Sequence, residues 1–148
     1  MHIAPVYNKR DERAFLDLPR KLYRNDPNHV LMFDSEIKSA FDRKINPYFK
    51  HGDAVRWIAL NDKGETVGRI AAFYDTSKDE TDYVRSGGCG FFESINDQEV
   101  AFLLFDTAKA WLQENGYEAM TGPINFGEND TNWGCLVQGF LPQGLGMN

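Results

Sequence analysis

Cysteines, histidines and one polar loop are the first places to look for chemistry in this 148-residue sequence. Cys89 and Cys135 lie far apart and lack the CxxC spacing of a zinc or redox site. Neither has a base or an electropositive segment beside it in the sequence that would activate a thiolate, so reduced thiols packed in a core are expected. His2, His29 and His51 are scattered, without the HxxxH spacing that puts two imidazoles on one helix face, and no metal site is expected. The segment 125–133 carries Asn125, Asn129, Asp130, Asn132 and Trp133. Amides beside one large aromatic suit the gripping of a small polar ligand, with Asn125, Asn129 and Trp133 as its contacts. A turn-rich connection that tucks Trp133 into a core fits the same composition.

The elements that must hold these residues follow from pattern and composition. Hydrophobic residues make up 42% and charged residues 26%, the proportions of a globular chain long enough to form one core without staples. A net charge of −6 and an isoelectric point near 5.0 disfavour nucleic acid as a partner. No apolar run approaches the roughly 20 residues that cross a bilayer, and the start turns polar too early for a signal peptide. The expectation is a cytoplasmic protein that does not enter a membrane.

Residues 2–7 have the Ile and Val content of a first strand, with Pro5 better tolerated on an edge. Asn8 is placed to cap a helix over 9–23, where Phe15, Leu18 and Leu22 form one face and Pro19 must kink or divide it. A second short helix is expected over 35–41, closed by Asn46-Pro47. From residue 54 the period changes to two, and Asn61-Asp62-Lys63-Gly64 turns a hairpin into the run 65–74. Both faces of that hairpin are apolar, so helices should cover the sheet on each side. The polar stretch 75–88 reads as a loop, and 89–94 as the next strand. Asn96 with Glu99 three residues on reads as a capping box opening a long helix, which Asn115-Gly116 stops. Residues 117–124 read as a final strand, parallel to 89–94. The chain is expected to be a single domain over 1–148, with a core over 1–124 and a polar loop and short segment over 125–148.

Several segments carry a resemblance. They are Asn46-Pro47-Tyr48-Phe49-Lys50-His51, Val67-Gly68-Arg69-Ile70-Ala71-Ala72, Gly90-Phe91-Phe92-Glu93-Ser94-Ile95-Asn96-Asp97, Trp111-Leu112 followed by Gly116, and Gly122-Pro123-Ile124-Asn125-Phe126. Their order resembles the GNAT superfamily of N-acetyltransferases, and in particular a bacterial group of acetyltransferase-like proteins without a settled activity. The resemblance implies an α+β fold: a mixed, largely antiparallel sheet with helices on both faces, incomplete at the C-terminus. It also implies a bulge in the strand before the long helix, and acyl transfer from acetyl-CoA to a small-molecule amine.

In that superfamily an R/Q-x-x-G-x-G/A loop wraps the pyrophosphate of acetyl-CoA at a helix N-terminus, where free N–H groups and the dipole favour an anion. The matching positions here are Asn96, Asp97, Gln98, Glu99 and Val100, without a glycine and with two acidic side chains in the first turn. Such a turn is either a degraded cofactor cradle that binds acetyl-CoA weakly or not at all, or an ordinary capped core helix. By the same resemblance Glu93, at the end of the strand before the long helix, is the candidate base, and Tyr117 the candidate acid for the leaving thiolate. The alternatives are a solvent-facing glutamate and a tyrosine entering a strand. A noncatalytic module that binds a ligand or partner stands beside the enzyme reading.

Only 24 residues follow position 124, about half of what the superfamily uses to finish its sheet. The apolar run 134–140 is therefore expected to pair with the same edge of a second copy, giving a homodimer through the C-terminal edge.

Overall fold

A computed structural model describes residues 1–27, 34–76 and 85–122. Among the described residues five strands form one sheet: β1 His2–Pro5, β2 Gly52–Leu60, β3 Thr66–Asp75, β4 Ser86–Ser94 and β5 Ala119–Thr121. Their spatial order is β1-β2-β3-β4-β5. The first four run antiparallel, and β5 joins β4 in parallel through the helix between them. Three helices complete the described fold: α1 Lys9–Leu22, α2 Asp34–Ala40 and α3 Gln98–Glu114. This is the expected α+β architecture, with Pro5 on the edge strand.

Asn8 caps α1 as expected, its Oδ1 accepting from the N–H of Asp11 at 2.8 Å. Pro19 does not divide the helix, which continues to Leu22, and Leu16 and Pro19 join Phe15 and Leu18 on the buried face. Phe15, Leu16, Ile37, Ala54, Ile58, Ala71, Phe73 and Phe91 form the core on the α1 and α2 side of the sheet. Trp57, Ile70, Cys89, Leu104, Ala108, Leu112, Tyr117 and others form the core on the α3 side. Both faces of the sheet are thus covered, as its two-sided apolar pattern requires.

Four local expectations are corrected. Asp97, not Asn96, caps α3: its backbone is extended at φ −142° and its Oδ1 accepts from the N–H of Glu99 at 2.9 Å. Glu99 is then the second helical residue and forms no capping box; a charged cap also meets the helix dipole better than an amide. β4 begins at Ser86, inside the stretch read as loop, because Gly87 and Gly88 are small for packing: an added Cβ would lie 2.4 Å from Leu112 Cδ2 and 2.5 Å from Phe73 Cε1 respectively. β5 is only three residues long. Tyr117 is not in it. Instead Gly116, at φ +88°, and Tyr117 lock the end of α3, donating to the carbonyls of Gln113 at 3.0 Å and Leu112 at 2.9 Å. That is the paired hydrogen bonding of a Schellman turn.

Candidate functional site

The β3–β4 register holds the key irregularity. Arg69 pairs with Glu93 and Ala71 with Gly90, so Phe91 and Phe92 together stand opposite Ile70. Phe91 takes φ +53°, the left-handed region that a bulky residue enters only under constraint. This is the bulge expected in the strand before the long helix. It also changes which face each side chain uses. Cys89 packs on the α3 side, and strict alternation would send residue 93 there too. With the extra residue, Glu93 instead meets α1's C-terminal end, where Tyr23 donates its hydroxyl to Glu93 Oε1 at 2.6 Å.

Arg69 lies beside this pair. It is 4% exposed, the one buried charged residue among those described. Its Nε donates to the carbonyl of Phe91 at 2.9 Å and its Nη1 to the carbonyl of Phe15 at 2.7 Å, while the guanidinium sits 4.7 Å from the centre of the Phe15 ring. Burial pushes Arg69 down to about 10, and its electrostatic interactions with Glu93 and then Tyr23 oppose that shift. The guanidinium remains charged at neutral pH. Arg56 lies on the same face, 4.5 Å from the centre of the Phe41 ring and 3.3 Å from Glu12 Oε2. Burial lowers its pKa and Glu12 opposes the change.

Asn96, Asp97, Gln98 and Glu99 are exposed at the start of α3, whereas Val100 is buried in the core and faces no solvent. An anion arriving here would meet the Asp97 carboxylate already bound to the N–H of Glu99, with a second acidic side chain one turn position away. Tyr117, 3% exposed, stacks on Tyr74 at 4.9 Å and lies under Arg85. β5 pairs with the opposite end of β4, Ser86–Gly88, so Tyr117 and Glu93 are separated by about 20 Å of strand. The structure does not bring these two together.

Asn125, Asn129, Trp133, Cys135 and the run 134–140 lie outside the described residues, as does His29. Among the described residues no group of three or more His, Cys, Asp or Glu is placed to hold a metal, and no helix is long and apolar enough to cross a membrane. An open groove lined by Trp57, Asp106, Thr107, Ala110, Trp111 and Glu114 lies on the α3 side, away from Glu93 and Tyr23.

Tyr23 and the two carbonyl partners of Arg69 are the site features that the sequence reading missed. A signal existed for Arg69. Pro19 leaves the carbonyl of Phe15 without its helical donor, and Arg69 is the one charge in an otherwise apolar run, Val67 to Phe73.

The chain is 35% identical over 138 residues to protein YghO of Escherichia coli K12, a match covering 93% of this chain and 35% of that protein. It is 31% identical over 141 residues to the bacterial ceramide synthase of Caulobacter vibrioides, covering 95% of this chain and 36% of that protein. The chain therefore spans about a third of the length of the curated relatives it matches. In structure it resembles an acetyltransferase of the GNAT family from Staphylococcus aureus Mu50, with a TM-score of 0.55 at 14% identity, covering 83% of this chain and 74% of that one. The chain has the GNAT acetyltransferase fold. No family model matches it.

Proposed function

We propose that this chain supplies the site of an N-acyltransferase, in which an amine attacks the carbonyl of an acyl thioester. The new C–N bond forms, the C–S bond breaks and the thiolate leaves. Glu93 takes the proton that the amine must lose, and Tyr23 holds the carboxylate toward α1. The carrying observation is the bulge of β4, which brings Glu93 to the α1 face beside a hydroxyl donor at 2.6 Å. The fold shared with an acetyltransferase supports the reading. So does similarity to a protein described as a ceramide synthase, since a ceramide is an amide of a long-chain amino alcohol. We place the activity in the cytoplasm on the acidic, cysteine-poor composition.

The donor is not held by its pyrophosphate at α3, whose first turn is closed by Asp97. That same observation favours a second reading, a noncatalytic module that binds a ligand without acyl transfer. Thiol release from acetyl- and palmitoyl-CoA, measured with short and long-chain amines, separates the two. Activity that falls about 10²–10⁴-fold in Glu93→Gln supports the base assignment. A Glu93→Gln protein as active as the wild type sinks it, and no turnover with any pair, together with calorimetric binding of the amine alone, favours the module.

A further inference from the structure

We infer that Arg69 is a positioning residue for Glu93, tying the bulge of β4 to the turn of α1 that Pro19 interrupts; its kinetic consequence rests on the acyl-transfer reading. A proline has no N–H, so the carbonyl four residues before it loses its helical partner. Here that carbonyl belongs to Phe15, on the buried side of α1. Arg69 supplies the missing donor from 54 residues away, through Nη1 at 2.7 Å. The Nε of the same guanidinium holds the carbonyl of Phe91, the residue at φ +53°. One planar, rigid group thus fixes two carbonyls that the regular helix and the regular ladder leave over.

The consequence falls on Glu93. The bulge alone moves residue 93 from the face of Cys89 to the face of Tyr23, and its Phe91 carbonyl is held from inside the core. Arg69 touches no reacting atom. It sets the strand geometry on which the side chain of Glu93 depends, opposite Arg69 in the β3–β4 register.

Pro19→Ala separates the structural contribution from the positioning one, because alanine returns an N–H to the carbonyl of Phe15. The decisive protein is the double variant Arg69→Gln with Pro19→Ala, compared with Pro19→Ala alone, Arg69→Lys and Leu112→Ala. Leu112→Ala is a destabilising control on the opposite face. In the double variant, amide exchange across residues 90–93 should quicken about tenfold or more while α1 stays protected. Turnover should fall about a hundredfold with KM for both substrates held within about twofold, the pattern of a misplaced group rather than of lost binding. Arg69→Lys should restore melting temperature more than turnover, since one ammonium cannot span both carbonyls. Leu112→Ala should melt earlier with turnover per folded molecule intact. Unchanged exchange at 90–93, or quickened exchange with full turnover, overturns the inference. Quickened exchange in a protein whose wild type transfers no acyl group overturns the acyl-transfer reading while leaving the tether in place.

Discussion

The two faces of the sheet are built on different principles. On the α3 side Trp57, Ile70, Cys89, Leu104, Ala108 and Leu112 meet without a buried charge, and Tyr74 stacks on both Tyr117 at 4.9 Å and Trp111 at 5.4 Å. On the α1 side the aromatic cluster of Phe15, Phe41 and Phe91 encloses Arg69 and lies against Arg56, and the Tyr23–Glu93 hydrogen bond closes one end. Apolar contact is non-directional and tolerates many arrangements, whereas a buried guanidinium is stable only with its donors matched to acceptors. Both faces therefore bury an apolar core, and the α1 face in addition fixes geometry through its matched guanidinium.

The sharpest way to break that division is Leu104→Ala. Leu104 is 0% exposed, so the change should cost about 2–5 kcal/mol in urea unfolding and leave turnover per folded molecule unaltered. Loss of turnover without loss of stability would show that the α3 face shapes the site after all.

A smaller effect is expected at the start of α3, where Asp97→Asn combined with Glu99→Gln keeps a capping acceptor but removes two charges from the positive end of the dipole. Stability should fall by about 0.3–1 kcal/mol per charge, and calorimetric titration should show tighter binding of free CoA than the parent protein gives. Binding no tighter than the parent's would mean that these carboxylates do not guard the turn.

The smallest effect belongs to the rim of the α1 face. The hydrogen bond from Arg13 holds the Asp34 carboxyl below its ordinary value of 3.8, and Arg20, with a contact of 2.9 Å, adds to the shift. A lowered carboxyl contributes stability that is full above the unfolded value and is lost as pH falls through the folded one. Asp34→Asn should therefore cost about 0.2–1 kcal/mol at pH 7 and nothing once the pH is well below both values, as denaturation midpoints at the two ends of that range would show. A cost that persists in acid would point to packing of α2 instead.

How far the sequence discloses this arrangement depends on whether a feature is periodic. The hairpin of β2 and β3, α1 with its Asn8 cap and α3 with its Gly116 stop are legible because apolar spacing and turn residues repeat locally. β4 is misjudged at its start because Gly87 and Gly88 have the composition of a loop, while their smallness answers to Leu112 and Phe73 overhead. Glu93 stands out as a carboxylate at a strand end. Its partner does not, since alternation assigns residue 93 to the face of Cys89 and only the bulge reverses it. Pro19 reads as a helix breaker when considered locally, and its remedy, Arg69, lies on β3.

Strand order in space repeats strand order along the chain, β1 to β5. During synthesis each of β2, β3 and β4 emerges beside a neighbour already available for antiparallel pairing. β5 is the exception: its parallel seat exists only once α3 has crossed the sheet and docked, a closure of longer loop and higher entropic cost. Four strands and α1 thus supply a nascent scaffold in which Arg69, Phe91 and Glu93 can come into register before β5 is delivered.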